Sequence, residues 1–159
     1  EEAYEKLLVD EPKLLAFAGL ASFEAAEQYR RMRAYEKALG AYERSIAHYQ
    51  QALTGGFADG GAVDHAIALA LAGRARVRYQ MGDNERALAD ILASYERGPA
   101  SAGTRDGMGF TPGETGQMLL ARFRAQSRPD LATPLEEALA SLDPELLTPD
   151  VGLLPRDGE

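Results

Sequence analysis

Residues 75–99 read ARVRYQMGDNERALADILASYERGP, and this stretch holds two helices with the turn between them. Ala75 and Tyr79 lie one helical turn apart. Gly82-Asp83 then interrupts the helix, and Ala87, Leu88, Ile91, Leu92 and Tyr95 recur at steps of three and four, as one buried helix face requires. Gly98-Pro99 closes the second helix. Upstream, Ala26, Tyr29, Tyr35, Ala38-Leu39, Tyr42 and Ser45 repeat much of this order. The pattern predicts antiparallel helix pairs: small residues (Ala26 with Ala38, Ala75 with Ala87) sit where two helices approach most closely. Larger ones (Tyr29, Tyr42, Tyr79, Ile91) fill the spaces between successive pairs. One pair cannot bury both of its faces and needs neighbours packed on it.

Ala75, Tyr79, Gly82-Asp83, Ala87-Leu88, Ser94 and Pro99 fall at the offsets of a tetratricopeptide repeat, and the chain resembles that family over residues 1–99 and more loosely over 112–144. The resemblance implies an all-α fold, a right-handed stack of antiparallel helix hairpins (a TPR-like α-solenoid) with about six to seven helices. Arg33 stands where the turn glycine is usual and Gln50 where the closing proline is usual. Ala38 and Ala87 are 49 residues apart, against a family unit of about 34. An antiparallel helical bundle is the other all-α arrangement the pattern allows.

Outward from that stretch, hairpins are expected at about 14–53, 62–98 and 112–142, within one domain covering 1–147. Tyr4 to Val9 reads as the end of an earlier repeat, stopped by Asp10-Glu11-Pro12, because proline lacks an amide proton and disfavours helix before it. Leu14 to about Arg33 and Tyr35 to Leu53 form the next pair, ending at Thr54-Gly55-Gly56, where glycine supplies a left-handed cap. Gly55 to Gly61 reads as a flexible loop, and the following helix as starting near Asp64. Gly98 to Phe110 is a glycine-rich connection. Thr111-Pro112-Gly113-Glu114 is a capping box with proline at the first helical position. Ser127-Arg128-Pro129 ends that helix, the last main helix spans about Leu131 to Leu142 with Pro134 starting or kinking it, and Asp143-Pro144-Glu145 caps a short turn. Residues 148–159 read as a loose tail.

At 159 residues the chain is long enough for one continuous core. No apolar run reaches the roughly 20 residues of a membrane span, and no signal peptide or lipidation motif is visible. The opening at Glu1, without methionine and within an apparent helix, carries the expectation of a segment upstream. Cysteine is absent, which removes disulfides, thiolate metal sites and thiol nucleophiles. The net charge of −8 opposes a general nucleic-acid binder, which needs a basic face. His48 and His65 are far apart with no second ligand at helical spacing. Glu136-Glu137 and Glu1-Glu2 are adjacent and so point to different sides of a helix. The Gly55–Gly61 loop lacks the Lys-Ser/Thr ending of a phosphate loop, and no serine has a nucleophile-elbow context. The expectation is a protein without catalytic activity, metal or cofactor.

The arginines are unevenly placed. Segments 19–33, 66–81 and 113–127 hold eight of them (Arg30, Arg31, Arg33, Arg74, Arg76, Arg78, Arg122, Arg124) against three acids, Glu24, Glu27 and Glu114. In the tetratricopeptide family the first helices of the hairpins line a concave peptide-binding groove. The resemblance therefore places Leu20, Phe23, Glu27, Arg30 and Arg31 in such a groove from one hairpin, Leu69, Arg76, Tyr79 and Gln80 from the next, and Gln117 and Arg124 from the third. Arginine forks suit carboxylates and aromatic rings suit apolar anchors, which points to a protein or peptide partner of acidic character. The family's carboxylate-clamp set of lysines and asparagine is not present. The same arginines also suit a structural role, complementing helix C-termini or pairing with acids of the neighbouring helices. Self-assembly through an unpaired helix face, giving a homo-oligomer, and a regulatory domain of a larger protein are the remaining readings.

Overall fold

A computed structural model describes residues 2–57 and 59–147, and the expected tail at 148–159 lies outside the described residues. Among these residues six α-helices run in chain order: α1 (Glu2–Arg31), α2 (Tyr35–Thr54), α3 (Gly60–Met81), α4 (Asn84–Arg97), α5 (Pro112–Ala125) and α6 (Pro129–Leu142). Two 3-10 turns, Pro99–Gly103 and Pro144–Leu147, follow α4 and α6. No strand occurs among the described residues. The all-α class read from the sequence is the class observed. No helix of the described residues is long and apolar enough to cross a membrane.

Helices α1 and α2, α3 and α4, and α5 and α6 pack as pairs; α2 and α1 meet α3, while α4 and α3 meet α5. The turn inside each pair is built the same way three times. Arg33, Gly82 and Ser127 take φ of 56°, 77° and 53°. The next residue in each case donates its N–H five residues back, Ala34 to Tyr29, Asp83 to Arg78 and Arg128 to Phe123, at 2.8–2.9 Å. A left-handed residue satisfies the last helical carbonyls in this way. Only one of the three is glycine, so Arg33 and Ser127 carry the strain of a side chain at positive φ.

The buried small residues are the ones the sequence singles out: Ala26, Ala38, Ala75 and Ala87 are fully buried. Two buried serines repeat one bond across the pairs, Ser45 Oγ to Gly19 O at 2.8 Å and Ser94 Oγ to Ala68 O at 2.7 Å. Between pairs, Tyr42 of α2 lies against Gly73 of α3, where an added Cβ would stand 2.6 Å from the ring. Tyr95 of α4 meets Gly116 of α5 hydroxyl first, with its ring carbon 3.1 Å from where a Cβ would stand, and donates that hydroxyl to Pro112 O at 2.8 Å.

Several boundaries depart from the sequence expectation. Helix α1 does not stop at Asp10-Glu11-Pro12 but runs through Pro12 to Arg31. Pro12 is buried beside Gly55 at the end of α2, so packing along the pair outweighs the one hydrogen bond that proline forfeits. Helix α3 starts at Gly60, because Asp59 caps it by accepting from Ala62 N at 2.9 Å. Helix α6 starts at Pro129, with Pro134 inside it. The expected capping box is present: Thr111 Oγ1 accepts from Glu114 N and Glu114 Oε2 from Thr111 N, each at 3.0 Å.

Replacing Gly73 by Ala pushes a methyl group into the Tyr42 ring. We expect urea denaturation to show a loss of about 1–3 kcal/mol. Arg33→Gly should act oppositely, gaining up to about 1 kcal/mol from relief of the positive φ.

Candidate functional site

The last turn of α1 brings Glu27, Arg30 and Arg31 to one end of the first helix pair. Arg76 and Gln80 of α3 face the same region, in a cleft of about 480 Å³ lined also by Arg33, Tyr35 and Phe110. Five of the residues expected in a groove (Glu27, Arg30, Arg31, Arg76, Gln80) are therefore gathered. The others lie elsewhere. Phe23 packs edge-on against Tyr42, ring centroids 5.8 Å apart. Tyr79 lies beneath the Arg122 guanidinium, 3.3 Å from the ring centroid. Gln117 donates to Leu146 O at 3.2 Å, and Arg124 pairs with Glu136 at 2.9 Å. Leu20 lines a separate apolar hollow with Phe17, Tyr49 and Phe57.

One wall of the cleft is the connection between α4 and α5. Its residues 106–110 fold on themselves: Asp106 Oδ1 accepts from Met108 N at 2.9 Å and from Phe110 N at 3.0 Å, and Asp106 N donates to Phe110 O at 2.9 Å. Arginines hold this small ring in place. Arg30 Nη1 reaches Asp106 Oδ2 at 3.2 Å and donates to Tyr42 Oη at 3.0 Å. Arg31 Nη2 donates to Gly107 O at 2.8 Å, and Gly107 N donates to Glu27 Oε1 at 2.8 Å. A Cβ on residue 107 would meet the tip of the Glu27 side chain and push its carboxylate aside, so glycine suits this approach. The Arg76 guanidinium lies over the Phe110 ring, 3.6 Å from its centroid, in cation–π geometry, and its Nε reaches Thr115 Oγ1 at 3.3 Å.

Burial governs the electrostatics. Arg30 and Arg76 are 7% and 9% exposed. Burial, with Arg30 alongside, pulls the Arg76 guanidinium down to about 10. Burial raises the Glu27 carboxyl, partly offset by the Gly107 N–H that favours its charged form. Burial also pushes the Tyr42 phenol up to about 12, against the opposing pull of Arg30. Among the described residues Arg31 and Arg33 make no ion pair, and Asp106 is the only acid paired with an arginine of the cleft. Both Arg31 and Arg33 are exposed. The cleft thus presents the guanidinium groups of Arg31 and Arg33, without an ion pair among the described residues, beside the rings of Tyr35 and Phe110, a chemistry suited to carboxylates.

Other arginines are structural. Arg74 grips Asp90 of α4 with Nε and Nη2 at 3.0 and 2.7 Å, and Arg78 adds Nη1 at 2.6 Å to the same carboxylate, which is 4% exposed. Arg97 pairs with Asp64 at 2.7 Å. Sequence reading placed the first helices in the site but passed over Asp106 and Phe110. The available signal was an acid and an aromatic within a glycine-spaced connection too long for a tight turn. His65 Nδ1 lies 2.7 Å from Ser101 Oγ, but that serine is 3% exposed and serves to tie the first 3-10 turn to α3. No three His, Asp or Glu side chains converge among the described residues as a metal centre would require.

Compared with protein-family models, curated proteins and solved structures, the chain finds no match.

The Tyr42 shift gives a pH signature. An unfolded phenol ionises near 10 and the folded one near 12. The neutral form is favoured by folding, so its stabilisation is complete below pH 10 and is lost as pH rises towards 12, at ~1.4 kcal/mol per pH unit. Denaturant midpoints at pH 9 and pH 11 should therefore converge more closely in Tyr42→Phe than in the parent.

Proposed function

We propose that this protein is a non-catalytic interaction scaffold that takes an acidic peptide or protein segment at the arginine-lined cleft between α1 and α3. The observation carrying this reading is the convergence of Arg30, Arg31, Arg33 and Arg76 around one cleft with a single paired acid among the described residues. Exposed guanidinium forks that already hold a backbone carbonyl, as Arg31 holds Gly107, suit the carboxylates and carbonyls of an extended segment. In the same reading the helix pairs form a right-handed, tetratricopeptide-like stack. The thrice-repeated turn and the repeated serine bonds support it.

The test is fluorescence anisotropy with a glutamate-rich peptide across a salt series. Binding should weaken as ionic strength rises, since exposed charges are screened within about 8–10 Å. Arg31→Glu combined with Arg33→Glu should reduce affinity at least about tenfold while leaving helicity unchanged. Arg30 and Arg76 are unsuited to this swap because they are buried. Salt-insensitive binding, or none at low salt, contradicts the proposal.

A second reading is self-assembly. Leu14, Phe17 and Leu20 are 60%, 69% and 45% exposed on one stretch of α1, beside the apolar hollow of about 430 Å³ that reaches Phe57 and Val63. Exposed apolar surface of this kind favours association. Sedimentation at rising concentration should show a dimer that Phe17→Glu abolishes; a monomer throughout rules this reading out.

A further inference from the structure

The ring formed by residues 106–110 has the features of a ligand. Among the described residues it joins none of the three buried apolar clusters. Its internal hydrogen bonds are complete without the helices. Its attachments to α1 and α3 are two arginine contacts, one carboxylate accepting a backbone N–H, and a guanidinium on a ring. These are the contacts that a scaffold cleft makes with a bound segment: a carboxylate on Arg30, a main-chain carbonyl on Arg31, and an aromatic ring on Arg76. Moving the ring away would leave Arg30 and Arg76 with only Tyr42 and Thr115 as hydrogen-bond partners among the described residues. A buried cation stripped of its counter-charge is costly, so the vacated site would favour a replacement of the same chemistry.

Resting on the cleft reading above, we infer that residues 106–110 are an internal occupant of the binding site, and that the partner is a segment carrying a carboxylate followed four residues later by an aromatic ring, which displaces them. The acid and the ring must be spaced as Asp106 and Phe110 are, because Arg30 and Arg76 are fixed on two packed helices. Glycine fits best after the acid, because a Cβ there would displace the Glu27 carboxylate.

The site is then in competition with its own chain. Apparent affinity for an external segment is the intrinsic affinity reduced by the fraction of molecules whose site is open. The full chain and two variants, Phe110→Ala and Asp106→Asn, are titrated with a labelled, end-blocked peptide of the sequence of residues 104–111. A control peptide carries Asn for the acid and Ala for the aromatic. The expected result is weak binding by the parent, binding about tenfold tighter by both variants, and none of the control peptide by any protein. Equal affinity of parent and folded variants overturns the inference, as does binding of the control. If both variants lose their cooperative thermal transition, the ring is a structural strap, and the inference is likewise overturned. Salt-sensitive capture of the glutamate-rich peptide without tightening in the variants would sink this inference and leave the cleft reading standing. Failure of every acidic peptide, with parent and variants alike, would remove both.

Discussion

The fold turns on a tyrosine ring lying against a bare stretch of glycine backbone. Tyr42 on Gly73 joins the first helix pair to the second, and Tyr95 on Gly116 joins the second to the third. An aromatic ring can press onto a neighbouring helix only where that helix lacks a Cβ, and dense packing leaves no room for adjustment. Both hydroxyls must then find partners inside the protein, and each does so at a point that organises something further. Tyr95 anchors Pro112 at the start of α5. Tyr42 accepts from Arg30, which orients a buried cation towards the cleft. The joint between helix pairs and the electrostatics of the candidate site therefore share one side chain.

The concentration of arginine on alternate helices resolves into two populations. Arg74 and Arg78 close on Asp90 within the second pair, a buried arrangement in which one carboxylate satisfies two guanidinium groups. Such pairs offset their own desolvation and add geometric definition more than stability. Arg30, Arg31, Arg33 and Arg76 instead surround a cleft in which, among the described residues, only Arg30 makes an ion pair. Helix position alone does not separate these populations: Arg74, Arg76 and Arg78 alternate along α3, and only the middle one turns towards the connection between α4 and α5.

Much of the fold was legible in one dimension, for identifiable reasons. Ala26, Ala38, Ala75 and Ala87 marked the close approaches, and Gly82 marked a turn, because helix packing imposes size limits at fixed intervals. The capping box at Thr111 is a local device and was equally legible. Pro12 misled because its local penalty is smaller than the packing of the whole helix pair. Arg33 and Ser127 adopt the same turn as Gly82 although their side chains advertise nothing of it, since the pairing of the helices forces the backbone there.

Half of the candidate site followed from residue type and helix class: Glu27, Arg30, Arg31, Arg76 and Gln80 stand together. The other half belongs to a connection 76 residues from Arg30 along the chain. By itself the sequence determined an all-helical protein, its helix pairs and the concentration of arginine on alternate helices, because these depend on periodicity and on contacts within a few turns. The tertiary structure alone decided that Asp106 and Phe110 meet Arg30 and Arg76, and which arginines make no ion pair among the described residues. Those outcomes depend on how three helix pairs and one loop close around each other in space, and no spacing along the chain encodes that distance.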